Sequence, residues 1–175
     1  MDVRAAGEFL RTVRPLTRFS DAELAPLAAR MRERHLRAGQ ILAKEGARGT
    51  EMYFIRKGTL AIVKGVTGGT GGIEQVVAQI AAGEFVGEMA LFDRRPRSAT
   101  IRAETEAELL VLDRNAVQVL VNISPATAAA FLRALSEEFI GRLRRSNQLI
   151  AELTCAVLEA SGFQVEGITL TAERR

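Results

Sequence analysis

The sequence predicts an α+β protein: helices first, then a set of short strands forming a barrel or sandwich, then a long helix. Three observations carry this expectation. Capping signals and helical spacing fill the first thirty or so positions. From about Arg34 to Asp113, short apolar runs are punctuated by Gly39, Gly46, Gly49, Gly58, Gly65, Gly83 and Gly87, the texture of strands joined by turns. After Asp113 helical spacing returns and persists to about residue 160.

In chain order, "EFLRTVRPLTRF" predicts a short helix or turn ended by Pro15. "SDAELAPLAARM" follows, with Ser20 and Glu23 at capping-box spacing and Leu24, Leu27 and Met31 at helical intervals. "EMYFIRKGTLAIVK" predicts two strands around a tight turn at Lys57-Gly58. "LAIVKGVTGGTGGIEQVVAQI" predicts two strands around a glycine-rich hairpin loop. "TGGTGG" lacks the lysine and the Ser/Thr of a P-loop, so it reads as an exposed hairpin tip. "SATIRAETEAELLVLD" completes the strands.

Asp113 is placed to cap "RNAVQVLVN", and Ser124 to cap a helix from about 125 to 160 with Pro125 at its first position. Within it, Phe139, Leu143, Ser146, Ile150, Leu153 and Val157 are spaced 4, 3, 4, 3 and 4 residues apart, a heptad seam with one polar member. A shorter helix packed on its own domain would also be periodic. The length favours pairing with a second copy, so a homodimer through this helix is expected. "GFQVEGITLTAERR" alternates weakly as a hairpin or tail, and residues 161–175 have no assigned role.

Composition narrows the function. The chain has 175 residues, 47% hydrophobic and 26% charged, with a net charge of +3, enough for one domain with a core. That charge is too even to argue for nucleic acid or membrane binding. One cysteine, Cys155, excludes an internal disulfide, and no signal peptide or membrane-spanning run is evident. A cytoplasmic protein is expected. The single histidine, His35, makes a metal site and a histidine-based catalytic apparatus poor expectations. No catalytic residue and no metal ligand are assigned.

The chemistry concentrates in "FVGEMALFDRRPRSAT", Phe85–Thr100. Gly83 and Gly87 permit tight turns, and "EMALF" can form one helical turn whose first amides are an anion seat. Arg97 supplies a permanently charged, bidentate donor suited to phosphate. Glu88 would be repelled by phosphate and suits a pair of hydroxyls instead. Phosphate on one side and sugar hydroxyls on the other describe a nucleotide. An ordinary surface ion pair beside a loop is the alternative on these residues alone.

"GEFVGEMALFDRRPRSATIRAET" resembles the phosphate-binding cassette of cyclic nucleotide-binding domains. Those domains are found in catabolite-activator-type regulators, regulatory subunits of cyclic-nucleotide-dependent kinases and nucleotide-gated channels. "AGQILAKEG" and "MYFIRKGTLAIV" resemble the family's early strands, and the likeness covers roughly residues 9 to 155. It implies an antiparallel eight-stranded jelly-roll β-barrel with N-terminal helices and a long C-terminal helix, as one domain over residues 1–155. It also implies that Glu88 binds the ribose 2′-hydroxyl and Arg97 the exocyclic phosphate oxygens. The N–H groups of Glu88, Met89 and Ala90 after Gly87, together with Ser98, would complete the cradle.

Arg94 and Arg95 match no family role and are expected in solvent, and Phe85 and Leu91 should anchor the turn. Matching the strands places Ile62, Val77 and Val86 under the base. Matching "LSEEFIGRLRRSN" to the family's lid helix places Arg142, Ser146 and Asn147 nearest the purine. Ser98 follows the arginine where cAMP-preferring relatives carry alanine or serine, so cAMP is the expected ligand and cGMP the alternative. Residues 161–175 are too few for the helix-turn-helix that follows the long helix in catabolite activators, so direct DNA binding is not expected.

The sequence therefore describes a non-catalytic cyclic nucleotide receptor that moves its C-terminal helices to address a downstream protein. Its rivals are a ligand-free scaffold, a cupin-type enzyme and a cyclic dinucleotide receptor. Glu88 and Arg97 together oppose the scaffold, the paucity of histidine opposes the cupin, and Glu88 opposes the dinucleotide.

Overall fold

A computed structural model describes residues 2–67 and 72–160. The chain divides into two compact units, Met1–Leu135 and Ser136–Arg175. The first begins with α1 (Val3–Leu10), a 3-10 turn at Arg14–Leu16 and α2 (Asp21–Ala28). Pro15 does not end a helix as expected. It sits inside the 3-10 turn, where its fixed φ suits the first helical positions. The capping box forms as predicted. The Ser20 hydroxyl accepts from the Glu23 N–H, and the Glu23 carboxylate accepts from the Ser20 N–H at 2.9 Å. The bond from the Ser20 N–H, and then one that the Ser20 hydroxyl donates to the same carboxylate at 2.7 Å, hold the Glu23 carboxyl below the ordinary carboxylate range.

Eight strands follow: β1 (Arg32–Leu36), β2 (Ile41–Ala43), β3 (Glu51–Lys57), β4 (Thr59–Thr67), β5 (Gly72–Ala81), β6 (Phe85–Val86), β7 (Thr100–Ala103) and β8 (Ala107–Asp113). All pairings are antiparallel, in two four-stranded sheets ordered β1-β8-β3-β6 and β2-β7-β4-β5. This is the expected jelly-roll, except that the barrel is not closed. β3 and β4 do not pair across their turn; each goes to a different sheet. Gly58 makes that corner at φ 88°, and a Cβ there would lie 2.2 Å from the Glu106 carbonyl oxygen, so only glycine fits. β4 and β5 form the predicted hairpin, whose tip at 68–71 lies outside the described residues.

β3 and β8 explain why "MYFI" and "LLVL" carry no polar alternation. Successive side chains of a strand point to opposite faces, and both faces here are covered. Met52, Phe54, Leu110 and Leu112 pack with the helices, alongside Leu10, Leu16, Leu24 and Phe131. Tyr53, Ile55, Leu109 and Val111 pack between the sheets with Leu60, Val86 and Ile101. The rings of Phe54 and Phe85 stand 5.9 Å apart at their centroids, within the range of favourable aromatic pairs.

Between β6 and β7 lies α3 (Met89–Phe92), the predicted single turn. After β8, Asp113 accepts from the Ala116 N–H at 2.7 Å and caps α4 (Arg114–Ile123). Ser124 terminates α4, and its hydroxyl donates to Thr127 Oγ1 at 2.9 Å as α5 (Pro125–Ala160) begins. Ala128, Phe131 and Leu135 of α5 belong to the helical core of the first unit. The second unit holds the remainder of α5, where Glu138 accepts from Arg142 and Arg145 at 3.4 and 3.1 Å. Residues 161–175, to which no role was assigned, lie outside the described residues.

Phe54 is fully buried in the helix-facing core, so Phe54→Ala should lower the unfolding free energy by about 3–5 kcal/mol, read from chemical denaturation. Val76 on β5 is 47% exposed, and Val76→Thr should change it by no more than about 0.5 kcal/mol.

Candidate functional site

The site is built around one guanidinium. Arg97 lies between α3 and β7, and its main chain is zipped to the loop between β2 and β3. The Arg97 N–H donates to Ala47 O at 2.8 Å, and the Gly46 N–H donates to Arg97 O at 2.9 Å. The side chain then crosses to β3 and β6. Its Nη2 donates to Glu51 O at 2.7 Å and reaches Tyr53 Oη at 3.5 Å, while Nη1 donates to Gly87 O at 3.1 Å. The guanidinium carbon stands 5.6 Å from the centre of the Tyr53 ring, within cation–π range.

Two glycines make room for it. A Cβ on Gly49 would sit 2.7 Å from Arg97 Nε, and one on Gly87 would sit 2.8 Å from Nη1. Gly87 also has φ 80°, so its second reason to be glycine is the chain reversal before α3.

Glu51 and Tyr53 form the floor. Tyr53 Oη donates to the Glu51 carboxylate at 2.9 Å, and the same carboxylate pairs with Arg32 and lies 3.9 Å from Arg34. Burial, first, and then the bond to negatively charged Glu51 push the Tyr53 phenol up to about 12, against a smaller downward pull from Arg97 and Arg34. A shallow cavity of about 410 Å³ opens beside this floor, lined by Arg34, Lys44, Arg48, Glu51, Tyr53 and Arg97 among others.

The cassette brings several predicted residues together. Glu88 directly precedes α3 and is only 7% exposed, a burial that carboxylates rarely reach without a purpose. Met89 is half exposed, and Ala90 is buried. The Ala90 N–H already donates to Gly87 O at 3.1 Å, so that amide closes the turn instead of awaiting a ligand. Ser98 is exposed, and its carbonyl accepts from Lys64 Nζ at 2.6 Å. Lys64 also pairs with Glu45, and this bond, followed by that from the Gly65 N–H, holds the Glu45 carboxyl below its ordinary range. Arg94 and Arg95 are exposed as expected. Phe85 and Leu91 anchor the turn in the helical core.

Of the expected wall residues, Val86 is buried between the sheets and Ile62 packs against that cluster. Val77 is 54% exposed. It falls at the register shift where Ile62 pairs with Ala78 and Val63 with Val76, so a bulge has taken it out of the regular alternation. Arg142, Ser146 and Asn147 lie on α5 in the second unit. Sequence reasoning missed Gly49, Glu51 and Tyr53. The one available signal was a glycine just before a strand with no turn of its own to explain it. Among the described residues there is no metal-ligating cluster, and no helix is long and apolar enough to cross a membrane.

The profile described as "Cyclic nucleotide-binding domain" matches residues 33–124. The chain is 31% identical over 120 residues to a cyclic nucleotide-gated potassium channel of Rhizobium etli, covering 69% of this chain and 31% of the channel. It is 33% identical over 96 residues to a cAMP-dependent protein kinase regulatory subunit of Mycosarcoma maydis, covering 55% of this chain and 18% of that protein. The chain thus spans about a third or less of these relatives. Among solved structures it is similar to a cyclic nucleotide-binding domain from Methylobacillus flagellatus, with a TM-score of 0.74 and 26% identity over 86% of this chain and 83% of that one. It is also similar to the N-terminal domain of a transcriptional regulator from Streptomyces coelicolor, with a TM-score of 0.67 and 33% identity over 85% and 95% of the two chains.

Tyr53 is the only tyrosine of the chain, so its ionisation can be followed directly by near-ultraviolet absorbance. The midpoint should fall near the raised value of about 12. The unfolded phenol ionises near ~10. Its contribution is therefore complete below that pH and is lost as the pH climbs from ~10 towards the folded value. Tyr53→Phe should flatten that alkaline loss, measured by denaturation at stepped pH.

Proposed function

The chain belongs to the cyclic nucleotide-binding domain family, and from that premise we propose that it is a regulatory receptor for cAMP that works in the cytoplasm without a catalytic step. The observation that carries this reading is the pairing of a nearly buried Glu88 with a guanidinium held in place at the same turn. In this reading Glu88 accepts hydrogen bonds from the ribose 2′-hydroxyl. Arg97 and the amides of Glu88 and Met89 take the cyclic phosphate, with Ser98 beside them. The base lies against Ile62 and Val86, with Val77 at the bulge. Arg142, Ser146 and Asn147 stay outside the assignment.

The output follows from the core. Leu91 of α3 shares one apolar cluster with Val117 and Leu120 of α4 and with Phe131 of α5. A ligand that draws α3 inward must repack these side chains, and α4 with the start of α5 resets. The equilibrium shifts only by the ligand's difference in affinity for the two arrangements.

A second copy is the proposed occupant of the α5 seam. Leu143, Ile150, Leu153 and Val157 are each more than half exposed, at a spacing that is self-complementary between two parallel helices.

One observation favours a ligand-free scaffold instead: Arg97 already donates to two protein carbonyls. Calorimetric titration decides between them. Protein stripped of carried-over nucleotide by unfolding and refolding should bind cAMP, more weakly cGMP, and not cyclic di-GMP; silence with all three would make it a scaffold. Arg97→Ala should weaken cAMP binding by about 1.5–3 kcal/mol, as for loss of a charged hydrogen-bond donor. For the dimer, Leu143→Glu or Ile150→Glu should sediment as a monomer. An unchanged sedimentation coefficient would refute the seam.

A further inference from the structure

Arg114, the first residue of α4, turns its side chain back onto the cassette. Its Nε donates to Ala90 O at 3.0 Å, and its Nη2 donates to both Ala90 O and Asp93 O. These carbonyls sit at the C-terminal end of α3, where no further helical turn supplies donors. The Arg114 main chain is engaged as well, since its N–H donates to Thr50 O at 2.9 Å. Thr50 adjoins Glu51, whose carbonyl receives Arg97. One residue therefore ties together the cassette turn, the start of β3 and the first turn of α4.

A four-residue helix does not hold its own geometry, because helix nucleation is unfavourable. The placement of Glu88 and the turn amides thus depends on tertiary ties, and Arg114 supplies a polar one. The planar fork of a guanidinium reaches two carbonyls at once, which an ammonium cannot do in the same geometry.

We propose that Arg114 is a positioning residue of the nucleotide site: it clasps the C-terminal end of the cassette turn to α4, so that ligand contact at the other end is transmitted to α4. The inference rests on the cyclic nucleotide reading above. It assigns Arg114 no contact with the ligand.

The test uses the full chain stripped of nucleotide, titrated with cAMP by calorimetry. Amide hydrogen exchange across 89–93 and 114–123 is then compared without and with saturating cAMP. Arg114→Gln should weaken cAMP binding about tenfold, the scale of one charge-assisted bond. At saturation it should also lose the ligand-dependent change in exchange over 114–123 that the wild type shows. A purely structural role would lower the melting temperature and leave both readouts as in the wild type, and that result overturns the proposal. Should Arg114→Gln fail to fold, Arg114→Lys decides. It should bind more weakly than wild type and transmit less to α4, and wild-type behaviour in both readouts overturns the proposal. If the wild type itself does not bind cAMP, the receptor reading falls and takes this inference with it. Wild-type binding with an indifferent Arg114→Gln sinks the inference alone.

Discussion

The arrangement depends on keeping one guanidinium in a slot shaped by what is missing around it. Arg97 passes between Gly49 and Gly87 because neither has a side chain, and a Cβ at either position would stand within 3 Å of it. Arginine has five N–H donors in a fixed plane. Here the fork is anchored on Glu51 O and Gly87 O, with the Tyr53 ring alongside. Anchoring costs little, because carbonyl bonds replace water bonds, and it removes the rotamer freedom that a long cation would otherwise surrender on binding. On the receptor reading, a fork held in one orientation before the ligand arrives is a preorganised phosphate donor.

That slot exists only because β3 is covered on both faces. Tyr53 looks between the sheets, while its neighbours Met52 and Phe54 look towards the helices. A one-residue slip would send every side chain to the opposite face and force each row into a close-packed cluster shaped for the other, so Glu51 O is delivered to the same place each time. The ion pairs at the start of the strand, from Arg32 and Arg34 to the Glu51 carboxylate, add little energy as partly exposed bridges. Their effect is to leave Tyr53 Oη an acceptor of fixed position. Sheet packing, not surface charge, sets the site's geometry.

How much of this was legible in the sequence follows from the range of each interaction. The Ser20–Glu23 capping box, the Asp113 cap and the α3 turn are local, decided within four residues, and the sequence signals for them were sufficient. The apolar runs of β3 and β8 signalled strands, and the resemblance of the cassette supplied the jelly-roll. Local signals could not show that β3 and β4, joined by one glycine, belong to different sheets. That choice depends on pairing with β8 and β7, distant in sequence. Val77 illustrates the same limit. Alternation assigns it a face, but the bulge opposite Ile62 and Val63 is a property of the pairing with β4. Glu88 and Arg97 were legible as chemistry. Gly49 and Tyr53 act on the Arg97 side chain, far off in sequence, and Arg114 acts on main-chain carbonyls, which leave no residue type to read.

On the receptor reading, these long-range carbonyl bonds are the means by which a site of so few side chains would act on a helix. A carbonyl acceptor belongs to the backbone, so an arginine bonded to it reports the position of the chain itself. Arg97 reads the backbone at 51 and 87, and Arg114 reads it at 90 and 93. The two arginines therefore grip opposite ends of the same short turn, one joined to β7 and the other to α4. A displacement of that turn cannot be absorbed by a side-chain rotamer at either end. It must either break a charge-assisted bond or move the element that carries the arginine. Breaking such a bond costs roughly 1.5–3 kcal/mol, comparable with the difference in affinity a ligand must show to shift a two-state equilibrium substantially. On the receptor reading, moving α4 as a body within its apolar cluster avoids that loss, and the helix would follow the turn.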